Sequence, residues 1–328
     1  MPVLDLSLAA FGRAPDSLML LIVALVLDAL IPAGLRPRAL RQAISATARA
    51  TGELERKLNR PGRSAGKRLI RGSLLAVFLG AAAAAAGWAV EGLSVLPFGW
   101  VALLVALFLL VTLRSPVDDV RRIARGLAKG DRAPAAAVLG PSAAGLDDPG
   151  LVRVCVQYLA ERLCEGLVAA VFWYVLLGLP GLAAYRMLNI AARVMPERLG
   201  DFGQTPGRLH EALVFLPALL TSVVIALAAA AAPGEGAGAA FAGIAGAKRS
   251  RAAVWPVAAF SGALGVRRSG TQVSAAVGRP GPGRRDLVAA GSRSAAVTDL
   301  NRAAYLYGVA ALLMLGLLAA VAVARLLA

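Results

Sequence analysis

The chain has 328 residues, 58% of them hydrophobic and 16% charged, against roughly 45–50% and about 25% in an ordinary soluble domain. Its formal net charge is +16 with only 5% aromatics, which argues against a nucleic-acid surface built from basic and stacking side chains. Two cysteines and one histidine are too few for a zinc site of about four close-spaced ligands.

The apolar residues are clustered, and about 20 in a row cross the roughly 30 Å hydrocarbon layer. The expected fold is mainly α: a polytopic integral membrane protein, a single membrane domain over 1–328, with about five to six transmembrane or re-entrant helices and cytoplasmic amphipathic helices. The first apolar segment is 18–35. Asp5, Arg13 and Asp16 precede it in place of a basic n-region, and no small-residue cleavage site follows, so it reads as a retained anchor. In the loop 36–68, Ala39, Leu40, Ile44 and Ala48 recur at helical spacing, predicting an amphipathic helix at the membrane surface that gives way to loop at Asn59-Arg60-Pro61-Gly62. Gly62 to Arg68 imitates a phosphate-binding loop, but the spacing is one residue short and Arg68 stands where Ser or Thr should bind magnesium.

Spans are predicted at 69–90 and 95–113. In the loop 114–166, Val117, Val120, Ile123, Ala124 and Leu127 predict a helix ending near Gly130, with turns at 140–142 and 147–150. A second helix places Val152, Cys155, Val156, Leu159 and Leu163 on one face and Arg153, Gln157, Glu161 and Glu165 on the other. Cys155 and Cys164 read as small apolar helix residues. The fourth segment, 167–185, is interrupted by Gly178, Pro180 and Gly181, so it is kinked or broken. Such a break must face protein or a wet cavity. A polar run follows, then a segment at 211–232. Residues 228–247 read as an Ala/Gly-rich loop, 251–286 as Gly/Pro/Arg-rich and irregular, and 303–326 as the last span.

Lys and Arg concentrate in three stretches: 11 between Arg36 and Arg71, 8 between Arg114 and Arg162, and 10 between Lys248 and Arg302. Basic loops stay in the cytoplasm, so 36–68, 114–166 and 233–302 are expected there, and anionic lipid is expected to attract them. Six spans with the N-terminus outside satisfy this. So does a chain in which segments four and five both re-enter, which also keeps 186–208 cytoplasmic. The expected location is the bacterial inner membrane.

Glu161 and Glu165 lie four apart on one helix face. They are either an ordinary solvated face or carboxylates at a cavity mouth, able to hold magnesium or accept a proton. Arg186, Asn189, Glu197, Arg198 and Asp201 form a compact polar run between apolar segments, read either as a functional cluster or as charges flanking helix ends. His210 is read as a polar residue at a helix end or as a base. Phe172 and Trp173, just before the break, offer flat apolar contact.

From Leu146 to Pro217 the chain resembles the CobD/CbiB family of cobalamin biosynthesis, the adenosylcobinamide-phosphate synthases. The residues that carry the likeness are Leu146-Asp147, Ala160-Glu161, Glu165-Gly166-Leu167-Val168, Phe172-Trp173, Gly178-Leu179-Pro180-Gly181, Ala184-Tyr185-Arg186, Asn189, Glu197-Arg198, Asp201-Phe202-Gly203, Arg208-Leu209 and Pro217-Ala218. A second block comprises Ser250, Trp255-Pro256, Ala258-Ala259 and Gly262 to Arg267. The resemblance implies a ligase that joins a carboxyl of adenosylcobyric acid to an aminopropanol, or its phosphate, as an amide. ATP and magnesium are implied with it. It suggests Glu161, Glu165 and Asn189 for catalysis, with Glu161 and Glu165 on magnesium, and Trp173, Arg186, Glu197, Arg198, Asp201, Trp255 and Arg267 against substrate. Several polar positions of the family pattern differ, including Arg162, Ile190, Ala192, Val214, Ala252 and Val257. A second reading is therefore a non-catalytic or regulatory relative of AmpE type on the same scaffold. A transporter is a third reading, for which no inverted repeat is visible.

Overall fold

The computed structural model describes residues 17–31, 38–59, 64–195, 201–232, 236–247, 252, 254–266 and 296–327. Among them the elements are helical, with no strand. Five stretches are long and apolar enough to cross a membrane: Ala65–Val95, Gly99–Leu127, Asp148–Val194, Asp201–Ala231 and Asp299–Arg325. Each contains or overlaps a segment expected from the sequence. Large apolar side chains such as Leu74, Phe78, Trp88, Leu216, Leu227 and Leu312 stand exposed along these helices. So much exposed apolar surface is unfavourable in water and suits contact with lipid.

Helix α1 (Ser17–Leu30) has 14 residues, about 21 Å at 1.5 Å each. The expected first span is thus seen as a shorter apolar helix, packed on the rest through Leu18, Leu21 and Leu25. Its buried Asp28 accepts hydrogen bonds from the Leu113 and Arg114 amides at 2.7 and 3.1 Å, while Arg114 donates to the Ala29 and Leu30 carbonyls, both at 2.9 Å. Each end supplies the partners the other lacks.

Helix α2 (Arg38–Leu58) is the amphipathic helix expected there, but it also packs against protein: Gly52 lies beside Val194. Helix α3 (Ala65–Gly92) runs for 28 residues and turns at Leu93–Val95 into α4 (Gly99–Leu110). A Cβ at Gly99 would lie 1.7 Å from the Leu93 carbonyl oxygen, so only glycine allows so tight a turn. Helix α5 (Ser115–Leu127) matches the expected amphipathic pattern, with Val120 and Ile123 buried. After the short α6 (Ala133–Leu139) comes α7 (Asp148–Arg162). Residues 147–150, expected as a turn, form the start of α7: Asp147 caps it by accepting from the Gly150 amide at 3.0 Å.

The break in the fourth segment is sharper than a kink. A π turn (Leu163–Val168) leads into α8 (Ala169–Val194), inside which Gly178 adopts φ 68, ψ −160. Tyr185, Arg186, Asn189 and Arg193 all bond to Glu165 or Gly166. A straight helix would put residues 165 and 193 about 42 Å apart. The chain therefore reverses at Gly178, and arms 169–177 and 179–194 form a hairpin. The second arm runs antiparallel to α3, with Gly87 against Leu179 and Pro180, and Gly80 against Leu188. Of the expected kink or break, segment four takes the break.

Helix α9 (Asp201–Ala231) begins beside α3, where Ser73 and Thr205 share a hydrogen bond of 2.7 Å, and packs against the π turn. Two expectations fail after it. The supposed loop 228–247 instead contains the last turn of α9 and helix α10 (Ala237–Gly246), and the supposedly irregular 251–286 contains α11 (Val254–Ala263). Alanine is the best helix former, and the small residues let the two helices meet backbone to backbone: a Cβ at Gly262 would lie 2.3 Å from the Ala239 carbonyl oxygen. Helix α12 (Asp299–Leu327) closes the fold against α5, α7 and α9.

Candidate functional site

The site grows out of the π turn. A π turn is one residue wider than an α turn, and here side chains from elsewhere bond to the Glu165 and Gly166 carbonyls. Tyr185 donates to the Glu165 carbonyl at 3.1 Å, and Arg186 to the Glu165 and Gly166 carbonyls at 3.3 and 2.9 Å. These donors come from the second arm of the hairpin, so the reversal at Gly178 creates the arrangement.

The Glu165 side chain lies at its centre, with the residue only 6% exposed. A buried carboxylate is tolerated only when paired and hydrogen-bonded. Arg193 forms an ion pair with Oε2, Asn189 Nδ2 donates to the same oxygen at 3.2 Å, and His210 Nε2 stands 3.8 Å from Oε1. Asn189 also meets the His210 ring nitrogen at 3.1 Å. Tyr185, Asn189 and Arg193 recur every four residues, so one face of the second arm supplies all three, and α9 supplies the histidine. Beside this group Arg162 lies over the Tyr158 ring at 5.0 Å, and the Tyr158 hydroxyl donates to Asp119 at 3.0 Å.

Of the residues singled out in the sequence, Glu165, Asn189 and Arg186 come together here. Glu161 accepts from Gln157 at 2.9 Å, while the π turn carries Glu165 inward. Trp173 donates to the Leu213 carbonyl at 3.1 Å, and Trp255 to the Ala247 carbonyl at 3.0 Å. Both pack on one apolar cluster with Tyr185, Cys164, Val214 and Ala218, adjoining the polar group. Asp201 is elsewhere, paired with Arg68 at 2.9 Å. Glu197, Arg198 and Arg267 lie outside the described residues. Both cysteines are free and buried, as their apolar reading requires. Arg193 was missed, although the Tyr185-Asn189-Arg193 periodicity was an available signal, while His210, read as a helix-end polar residue or a base, joins the group from α9.

The groups around Glu165 suit anions better than a resident metal. Of the neighbours just described, the Arg193 guanidinium repels a cation and the Asn189 amide nitrogen does not coordinate one, which leaves Glu165 and the His210 imidazole, too few to hold a metal. Among the described residues no group of three or more His, Cys, Asp or Glu gathers as a metal site would need. Arg162, Arg186 and Arg193 instead concentrate positive charge where a phosphate or carboxylate would be favoured.

The family model described as "CobD/Cbib protein" matches residues 21–307. Curated relatives include three proteins called "Cobalamin biosynthesis protein CobD". The one from Brucella melitensis biotype 1 is 33% identical over 264 residues, covering 76% of this chain and 79% of its own. That from Rhodobacter capsulatus is 34% identical over 238 residues, covering 70% and 74%. That from Sinorhizobium fredii is 34% identical over 275 residues, covering 78% and 82%. No solved structure matches.

Proposed function

Since the chain belongs to the CobD/CbiB family of cobalamin biosynthesis, we propose that it forms the amide bond between a carboxyl of adenosylcobyric acid and an aminopropanol or its phosphate. The observation that carries this reading is the buried Glu165 network, in which Arg193, Asn189 and His210 converge on one carboxylate. A scaffold without catalytic duty, the AmpE-like alternative, has no evident need to bury and pair so many polar groups at one point, because apolar replacements are often as stable.

Amide formation from a free carboxylate runs against water at its full concentration, so the carboxyl must be activated. In this proposal ATP supplies the activation: its terminal phosphoryl group passes to a carboxyl oxygen, the amine attacks the acyl carbon, and phosphate leaves. Arg162 and Arg186 offset the anionic charge on the reacting groups. His210 is the side chain whose ordinary ionisation lies nearest neutrality, and it takes the proton that the attacking amine must lose. Glu165 holds Arg193 and Asn189 in place and faces the imidazole. Magnesium is assigned to the phosphates of the nucleotide rather than to Glu161 and Glu165. Trp173, Trp255 and Tyr185 border the apolar side, where a corrin ring would lie. The expected location is the bacterial inner membrane.

The test is complementation of a strain lacking this step. The chain should restore cobalamin-dependent growth without added cobinamide. Growth only when cobinamide is supplied would favour the non-catalytic relative.

A further inference from the structure

Helix α4 ends at Leu110, and the chain reaches α5 through a short stretch that opens extended, with Val111 at φ −101, ψ 143. Extended backbone in a membrane segment needs partners outside itself, and each amide here has one. Val111 donates back to the Leu107 carbonyl at 2.9 Å, and Thr112 donates to the Gly166 carbonyl at 3.4 Å. The Leu113 and Arg114 amides donate to Asp28 Oδ2 at 2.7 and 3.1 Å. The stretch is thus tied on one side to helix α1 and on the other to the π turn of the site. The second tie is close: a Cβ at Gly166 would lie 2.9 Å from Thr112 Oγ1 and 3.2 Å from the Thr112 carbonyl oxygen. The Gly166 carbonyl also accepts from Arg186 at 2.9 Å, so Thr112 and Arg186 grip one atom of the π turn from two elements. Asp28 is 0% exposed, and an ionisable side chain enclosed in a membrane helix is costly and marks a functional position.

We propose that Asp28 is a positioning residue for the site: by holding residues 113 and 114 it sets Thr112 against Gly166, and so fixes the π turn that presents Glu165. The inference rests on the ligase reading for the chemistry and adds to it a contribution from the first helix. Arg114 completes the joint by donating to the Ala29 and Leu30 carbonyls, both at 2.9 Å, so the stretch cannot slide along α1 without breaking bonds in both directions. Asp28 touches no reacting atom and acts through Thr112 and Gly166. A misplacement of about 1 Å caused far from the chemistry can cost on the order of a hundredfold in rate. Trp173 and Trp255, on α8 and α11, do not hang on this stretch, so contact with the corrin ring should survive its loosening.

The full chain in lipid nanodiscs is assayed for amide formation and for hydrogen exchange in a peptide covering residues 163–168. Asp28→Ala should lower kcat roughly ten- to a hundredfold with KM little changed, and should speed exchange in that peptide. Asp28→Asn keeps an acceptor oxygen in the same place and should recover most of both. Leu21→Ala is the control: it loosens the packing of the same helix at a residue 0% exposed. It should lower melting while leaving kcat and the exchange of 163–168 as they were. Should Asp28→Ala fail to insert, Asp28→Ser, whose hydroxyl is too short to serve both amides, takes its place. Unchanged kcat or unchanged exchange in that variant overturns the inference. So do equal losses in Leu21→Ala, which would mark plain destabilisation, and an Asp28→Asn as impaired as Asp28→Ala. If the unsubstituted chain makes no amide, the ligase reading fails, and the exchange comparison still decides whether Asp28 holds the π turn.

Discussion

Gly178→Ala tests whether the hairpin builds the site. The glycine adopts φ 68, ψ −160, a region essentially reserved for glycine and costing about 1–3 kcal/mol for other residues. An added Cβ would also come within 2.8 Å of Glu91 Oε1, but that atom ends a flexible side chain that can swing aside. Backbone strain therefore dominates. About 1–3 kcal/mol corresponds to a roughly five- to 150-fold shift toward conformations in which the second arm no longer lies along α3. The same arm carries Tyr185, Arg186, Asn189 and Arg193, so activity should fall, with that factor as the upper bound. The assay pairs thermal unfolding in detergent with amide formation. Because the strain is in the backbone, Glu91→Ala added to Gly178→Ala should restore little. Wild-type melting and activity in Gly178→Ala would refute the reversal as the organising feature, and full rescue by Glu91→Ala would show a steric cause instead.

Other expectations separate the parts. Glu165→Gln leaves Arg193 as an uncompensated cation, and should cost at least a hundredfold in activity through lost positioning, while Glu161→Gln, at a half-buried position on the ordinary helix before the π turn, should cost less than tenfold. Comparing the two rates at equal protein levels checks this, and equal losses would contradict it. If the hairpin returns the chain to the cytoplasmic side, a cysteine at the exposed position 208 should escape a periplasmic thiol reagent, as should cysteines at 56 and 129. Efficient labelling at 208 would instead support six through-going spans.

The apolar segments were legible because length and composition alone decide whether a helix can cross lipid: 69–90 falls within a long apolar helix, and 211–232 and 303–326 each overrun one by a single residue. Gly178, Pro180 and Gly181 marked a break, but not its angle. Whether a chain bends slightly or reverses there depends on α3, where Gly80 and Gly87 permit the second arm to lie close. Glu161 and Glu165 looked equivalent under a uniform helical period, and the π turn that separates them leaves no mark in the apolar pattern. Asn189 and Arg186 were visible as polar residues in an apolar setting. His210 was visible too, but its pairing with Glu165 was not, since the two lie 45 positions apart in sequence. The alanine-rich 228–247 misled because few side chains were available to show periodicity, although alanine itself favours helix.

The most direct measurement of the central claim is reconstitution. The purified chain in nanodiscs is incubated with adenosylcobyric acid, aminopropanol phosphate and magnesium ATP, and the products are identified by mass spectrometry. The account predicts an amide-linked corrinoid formed together with ADP and phosphate, and its loss with Glu165→Gln in protein that melts as a folded species. Folded protein that binds both substrates yet forms no amide, or undiminished product from Glu165→Gln, would contradict it.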